Sequence, residues 1–249
     1  MLCLLFGCDP EKEYEISFKR RSPQQAAVVA LKSDNPDKRY KALREIAKSK
    51  SFKDEWAVTT LEVIARTDPN ASIRALAVRT LGRVGDARVL KALADALNDP
   101  SVRVRSEAAW AISQLNFSTI KASPEILSKL KENLKLTLTS DEELDVRINS
   151  AKALGQFKEQ DVLFALISAL KDKEFAVRYQ AEKSLVKLTG RTFYGNADKW
   201  IAWLRQTKNP FEYAGTIPPE LVKPKLNPWQ RMREKMYRFY LDWQGPAKQ

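Results

Sequence analysis

The sequence contains no histidine, which excludes His-based catalytic triads, His metal sites and the commonest proton shuttle at neutral pH. Only two cysteines occur, Cys3 and Cys8, so everything beyond them lacks a disulfide, a thiolate nucleophile and a cysteine-ligated zinc. Glycine is scarce, at 8 of 249 residues, while Ala, Leu, Lys, Arg and Glu are abundant, a balance that points to helices. Charge is plentiful. Lys plus Arg number 43 against 31 Asp plus Glu, and the net charge of +12 admits acidic protein surfaces, anionic lipid or nucleic acid as partners. With 44% hydrophobic residues the chain has ample material for a core, and wholesale disorder is excluded.

Reactive constellations are missing too. Glu142, Glu143 and Asp145 form an acidic run, but its spacing fits no calcium loop and it coincides with an expected helix start, where carboxylates favour the dipole. Gly190 and Gly195 have a phosphate-loop spacing without the Lys-Ser/Thr that must follow the second glycine. The expectation is therefore no catalytic residue, no metal, no cofactor and no enzymatic activity.

Met1 to Cys8 is an uncharged apolar stretch, far too short to span a bilayer, that stops at Asp9-Pro10. Leu5-Phe6-Gly7-Cys8 resembles the cleavage box of bacterial lipoproteins, with Leu5, Gly7 and Cys8 in pattern and Phe6 bulkier than the pattern usually has. That resemblance implies lipidation of Cys8, a tether over residues 9–22, and a membrane-anchored protein of the cell envelope facing away from the cytoplasm. The alternative is a hydrophobic tag packed on the first helices of a cytoplasmic protein.

An internal repeat is the strongest signal. Segments beginning at Asp68, Asp99, Asp141 and Asp172 each place an arginine six residues on, at Arg74, Arg105, Arg147 and Arg178. Apolar columns keep the same register: Ile73, Val104, Val146 and Val177; then small residues Ala77, Ala108, Ser150 and Ala181; then Leu81, Ile112, Leu154 and Leu185; then Val84, Leu115, Phe157 and Leu188. This spacing traces one face of an α-helix, with the Asp expected as its N-cap and Pro69 and Pro100 in its first turn. A second amphipathic helix recurs in each unit, as in Val89, Leu93, Leu97 and again Val162, Leu166, Leu170. The longer middle unit has its extra residues near 116–124 and 136–140, which are expected to be loops.

The pattern resembles HEAT repeats, in particular the short variety of phycobilisome-lyase-type arrays, clearly over about 68–190 and more weakly over 23–67. The resemblance implies an all-α fold: a right-handed α-solenoid of about five HEAT-like helix pairs over 23–207, with an extra helix near Ser22 to Leu31. It also implies that the Asp and Arg columns make structural contacts between neighbouring units. Arg79, Arg83, Arg88 and Arg103 lie off that ladder and are candidate partner contacts.

In the C-terminal part, Asn196 is placed to cap a helix over 197–206 in which Trp200 and Trp203 share a face, either closing the end of the core or forming a stacking site. Residues 208–228 contain five prolines and are expected to run as an extended linker. Over 229–244, Trp229, Met232, Met236, Phe239 and Trp243 form an aromatic stripe on a basic amphipathic helix that also carries Arg233. Such a helix can dock on its own array, on a partner or on an anionic membrane. The function expected from all this is a non-enzymatic scaffold or adaptor binding protein partners, with nucleic-acid binding through the basic surface as the alternative and a bilin-lyase-type enzyme ranked last.

Overall fold

In the computed structural model, residues 21–218 are described, together with Met232, Arg233 and Met236. Cys8, the start of the tether, Trp229, Phe239 and Trp243 lie outside the described residues.

Over residues 21–218 eleven α-helices follow one another: α1 (Pro23–Lys32), α2 (Pro36–Lys48), α3 (Glu55–Thr67), α4 (Ala71–Val84), α5 (Leu90–Ala96), α6 (Val102–Gln114), α7 (Pro124–Ser140), α8 (Leu144–Leu154), α9 (Gln160–Ala169), α10 (Phe175–Thr189) and α11 (Ala197–Gln206). They stack in two layers. The odd-numbered helices form the first layer and the even-numbered, arginine-bearing helices the second, each packing on its partner and on the corresponding helix of the next unit. This gives an α-solenoid of five helix pairs closed by α11.

The apolar columns read from the repeat are the core. Val104, Val146, Val177, Leu81, Ile112, Leu154 and Leu185 are all fully buried. Each such side chain contributes about 1.5–3 kcal/mol relative to leaving it exposed, and no single pair could bury these faces alone. The second layer is the more tightly packed, because small residues stand where its helices cross: a Cβ on Gly82 would meet the Ala111 Cβ at 2.5 Å, and one on Gly155 the Ser184 Oγ at 2.6 Å. A stack with one layer drawn closer bends toward that layer, so the solvent side of α2, α4, α6, α8 and α10 is the inner face.

Three expectations are corrected. The ladder aspartates are not N-caps: the capping positions are Asn70, Ser101, Glu143 and Glu174, two residues later, and Pro69 and Pro100 precede them. Each Asp instead accepts the N–H of that capping residue, at 2.8–2.9 Å, because its carboxylate is already committed to an arginine. Residues 136–140 are the last turn of α7, not a loop: Leu138 is buried and the Thr137 and buried Ser150 hydroxyls meet at 2.8 Å. Over its described part, the segment expected to run extended forms turns at 210–215 against α10, with the Gly215 N–H donating to the Lys187 carbonyl at 2.9 Å.

Candidate interaction surface

Four arginines of the column, Arg39, Arg74, Arg105 and Arg147, are held by the same two-part contact. Nη1 donates to two carbonyls at the start of its own unit, as Arg74 does to Asp68 O at 2.9 Å and Pro69 O at 3.3 Å. Nε and Nη2 grip the carboxylate of the following unit: Arg39 with Asp68 at 2.8 and 3.1 Å, Arg74 with Asp99 at 2.8 and 2.8 Å, Arg105 with Asp141 at 2.6 and 3.1 Å, Arg147 with Asp172 at 2.9 and 3.3 Å. A planar fork is the side chain that can satisfy two carbonyls and a carboxylate at once. Hydrogen bonding to the carboxylate holds Arg39, Arg74 and Arg105 above the ordinary arginine range. Burial alone would push Asp141 up, yet the Arg105 contact and the Glu143 N–H outweigh it and hold the carboxyl below its usual value. Arg39, in the weakly matching first unit, is a full member of the ladder. Arg178 keeps only the carbonyl half, at 2.8 and 2.9 Å, and has no carboxylate partner among the described residues.

The four off-ladder arginines do not form one patch. Arg79 pairs bidentately with Glu107 on the inner face. Arg83 donates to the Ala47 carbonyl at 2.8 Å and lies over the Phe52 ring, a contact that ties α4 to the end of α2. Arg88 is wrapped on Asp86 and the Lys53 carbonyl in the α4–α5 connection, and Arg103 reaches the Ser72 hydroxyl at 2.8 Å. Of the C-terminal stripe, Met232 and Met236 are helical and 50% and 65% exposed.

The repeat register reveals a surface that composition could not. Five residues after each ladder arginine stand Arg44, Arg79, Trp110, Lys152 and Lys183, all exposed in a row along the inner face. Trp110 is 44% exposed over a shallow depression of about 410 Å³ shared with Glu107, Asp145 and Asn149. Among the described residues, Arg44, Lys152 and Lys183 have no ion-pair partner. The first layer differs: Lys129 bridges to Asp95, Lys131 to Glu159 and Lys135 to Asp161, so the three lysines of α7 are each compensated by a carboxylate of the α5 or α9 side. The signal for the inner row lay in the repeat itself, five residues beyond the arginine column.

At the carboxy-terminal end the aromatics close the core. Trp200 is fully buried, its indole N–H donates to Glu182 at 2.7 Å, and Phe193 and Trp203 both stand edge-on to it. No open stacking platform remains at Trp200. Asn196 caps α11 through the Lys199 N–H at 2.9 Å. Among the described residues no group of His, Cys, Asp or Glu is placed to hold a metal, and no helix is long and apolar enough to cross a membrane.

Two-layered stacking with an inter-unit Arg–Asp ladder defines a helical-repeat solenoid. HEAT repeats match residues 23–113, 58–137 and 132–206, and the chain belongs to the HEAT-repeat family. No curated relative matches it. Among solved structures, the complex of CpcE and CpcF of phycocyanin lyase from Nostoc sp. PCC7120 is similar at 20% identity and TM-score 0.53, over 69% of this chain and 66% of that one. The chain thus spans just under two thirds of that relative's length. A designed armadillo repeat protein aligns at 18% identity and TM-score 0.53, over 76% of this chain and 94% of the design. Another, in complex with the peptide (KR)4, aligns at 18% identity and TM-score 0.52, over 75% and 92%. At these identities the likeness is one of fold.

Proposed function

We propose that the protein is a non-enzymatic scaffold whose inner face binds an extended segment of a partner protein, with acidic residues flanking a large apolar side chain. The observation that carries this reading is the row Arg44, Arg79, Trp110, Lys152 and Lys183, exposed at one repeat position, in which Arg79 pairs with Glu107 while Arg44, Lys152 and Lys183 have no ion-pair partner among the described residues. Packed helices stand about 8–10 Å apart, and an extended chain rises about 3.3 Å per residue, so every third residue of the ligand meets the next unit. Trp110 is the apolar anchor at the centre, and the free cations on either side attract the acidic flanks. Glu107 and Asp145 stand on the same face beside Trp110 and oppose a continuous polyanion, which favours a peptide over nucleic acid. The designed armadillo protein's (KR)4 peptide is basic, and a basic inner row calls for the opposite charge.

Calorimetric titration with synthetic peptides of equal length tests the reading. An Asp/Glu-flanked Phe peptide is expected to bind, Trp110→Ala to weaken it by about 2 kcal/mol or more, and Lys152→Glu with Lys183→Glu to weaken it and flatten its salt dependence. Preferential binding of a Lys/Arg peptide or of a single-stranded oligonucleotide would defeat it.

The same proposal places the scaffold at a membrane of the cell envelope, held by acyl chains on Cys8. Its support is the Leu5-Phe6-Gly7-Cys8 pattern alone. Mass spectrometry of the mature amino terminus from the native host decides it: a diacylated or triacylated Cys8 is expected, and an unmodified Met1 would return the protein to the cytoplasm.

A further inference from the structure

The ladder stops with an open fork. In four units the Nε and Nη2 of the arginine are occupied by the next unit's carboxylate, and in the fifth, at Arg178, they have no such partner among the described residues. The Arg178 guanidinium is nonetheless held as in the other units, by the Asp172 and Lys173 carbonyls, and lies 5.8 Å from the Phe175 ring centroid. The chain begins a sixth unit and abandons it. Asn209-Pro210 stands where Asp-Pro stood at Asp68 and Asp99, and the Asn209 side chain accepts the Phe211 N–H at 3.1 Å in the same two-residue turn. It makes no hydrogen bond to Arg178, and residues 210–215 then form turns instead of a second-layer helix. Among the described residues, no following helix covers the flank of α10 that one covers on α4, α6 and α8. Phe175 is 70% and Tyr179 59% exposed there, and with Tyr194, whose backbone is left-handed at φ 54°, they line a groove of about 570 Å³.

We infer that this end receives a helix from a partner protein, one that presents an aspartate or glutamate in the turn before its first residue. The carboxylate completes the Arg178 fork and the apolar side of the helix covers Phe175 and Tyr179, continuing the interface that already repeats through the array. A second copy stacked head to tail is the poorer fit. Its first unit has Ser33 at the ladder's Asp position, and such stacking does not close. The groove adjoins the inner face at Lys183, but Arg178, Phe175 and Tyr179 are not part of that row and the inference does not depend on the reading of that face.

Fluorescence anisotropy of the full chain with a labelled synthetic copy of residues 172–190, the helix that Arg147 receives, tests the inference against the same peptide carrying Asp172→Asn. The Asp peptide is expected to bind about tenfold or more tighter than the Asn peptide, the factor a charge-assisted fork implies. Arg178→Gln and Arg178→Lys both erase that discrimination. Phe175→Ser with Tyr179→Ser weakens both peptides alike, and because these side chains are exposed that variant stays folded. Trp110→Ala changes nothing. No binding, equal affinity for the two peptides, or discrimination that survives Arg178→Gln overturns the inference. Self-association that Arg178→Gln abolishes overturns it as well, by giving the end to a second copy.

Discussion

At the scale of single residues, two positions set competing effects against each other, and magnitude decides the sign. Gly82 lies inside α4, where helix propensity alone favours alanine by about 1 kcal/mol. A Cβ there collides with Ala111, and overpacking of that kind costs about 1–3 kcal/mol. Gly82→Ala is therefore expected to destabilise the protein, and adding Ala111→Gly to restore it, measured by urea denaturation. Asp141 supplies the pH dependence. Its folded carboxyl is held below the ordinary value, so its contribution is complete above about pH 4 and is lost as the pH falls through the lowered folded value. Asp141→Asn is expected to cost about 2–3 kcal/mol at pH 7, by leaving Arg105 facing a neutral amide, and to flatten the acid limb of the stability profile. An unchanged acid limb would show that other carboxylates set it.

At the scale of elements, the columns were legible because each unit solves the same packing problem with the same residue types. The helices, the core and the Asp–Arg pairing all follow from that register. What escaped is where one residue serves two neighbours. A carboxylate at a helix start reads as a cap; the repeat resemblance already implies its contact with a neighbouring unit's arginine, but not that this contact moves the cap two residues on, to Asn70, Ser101, Glu143 and Glu174. The other misses are at the ends. Four residues after the ladder arginine the column runs Leu43, Val78, Ala109, Ala151 and then Glu182, a break that periodicity treats as noise. There the Glu182 carboxylate gathers the Thr192 hydroxyl, the Phe193 N–H and the Trp200 indole, fixing the loop into α11. Glu182→Leu restores the pattern yet leaves the buried indole N–H unpaired, at a cost of about 1–3 kcal/mol. Limited proteolysis is expected to cut that variant first between residues 190 and 218, with the rest of the array intact.

At the scale of the molecule, the stack is nearly one-dimensional: each unit touches only its neighbours, so stability is a sum of unit and interface contributions. The ladder supplies one bidentate contact to each of four interfaces, so removing different rungs should separate different pieces. Arg147→Gln removes the grip on Asp172 and with it about 2–3 kcal/mol of the coupling between the fourth and fifth pairs. The remaining contacts of α8 with α10 persist, and the consequence is a loss of cooperativity confined to that joint. Hydrogen exchange is expected to show α9, α10 and α11 opening together ahead of α1–α6, and Arg39→Gln to loosen α1 and α2 in the same way while leaving α9–α11 at their original protection. Uniform loss of protection along the chain in either variant would mean that the solenoid unfolds as one block, and that the rungs act on a shared core rather than on the interface each one spans.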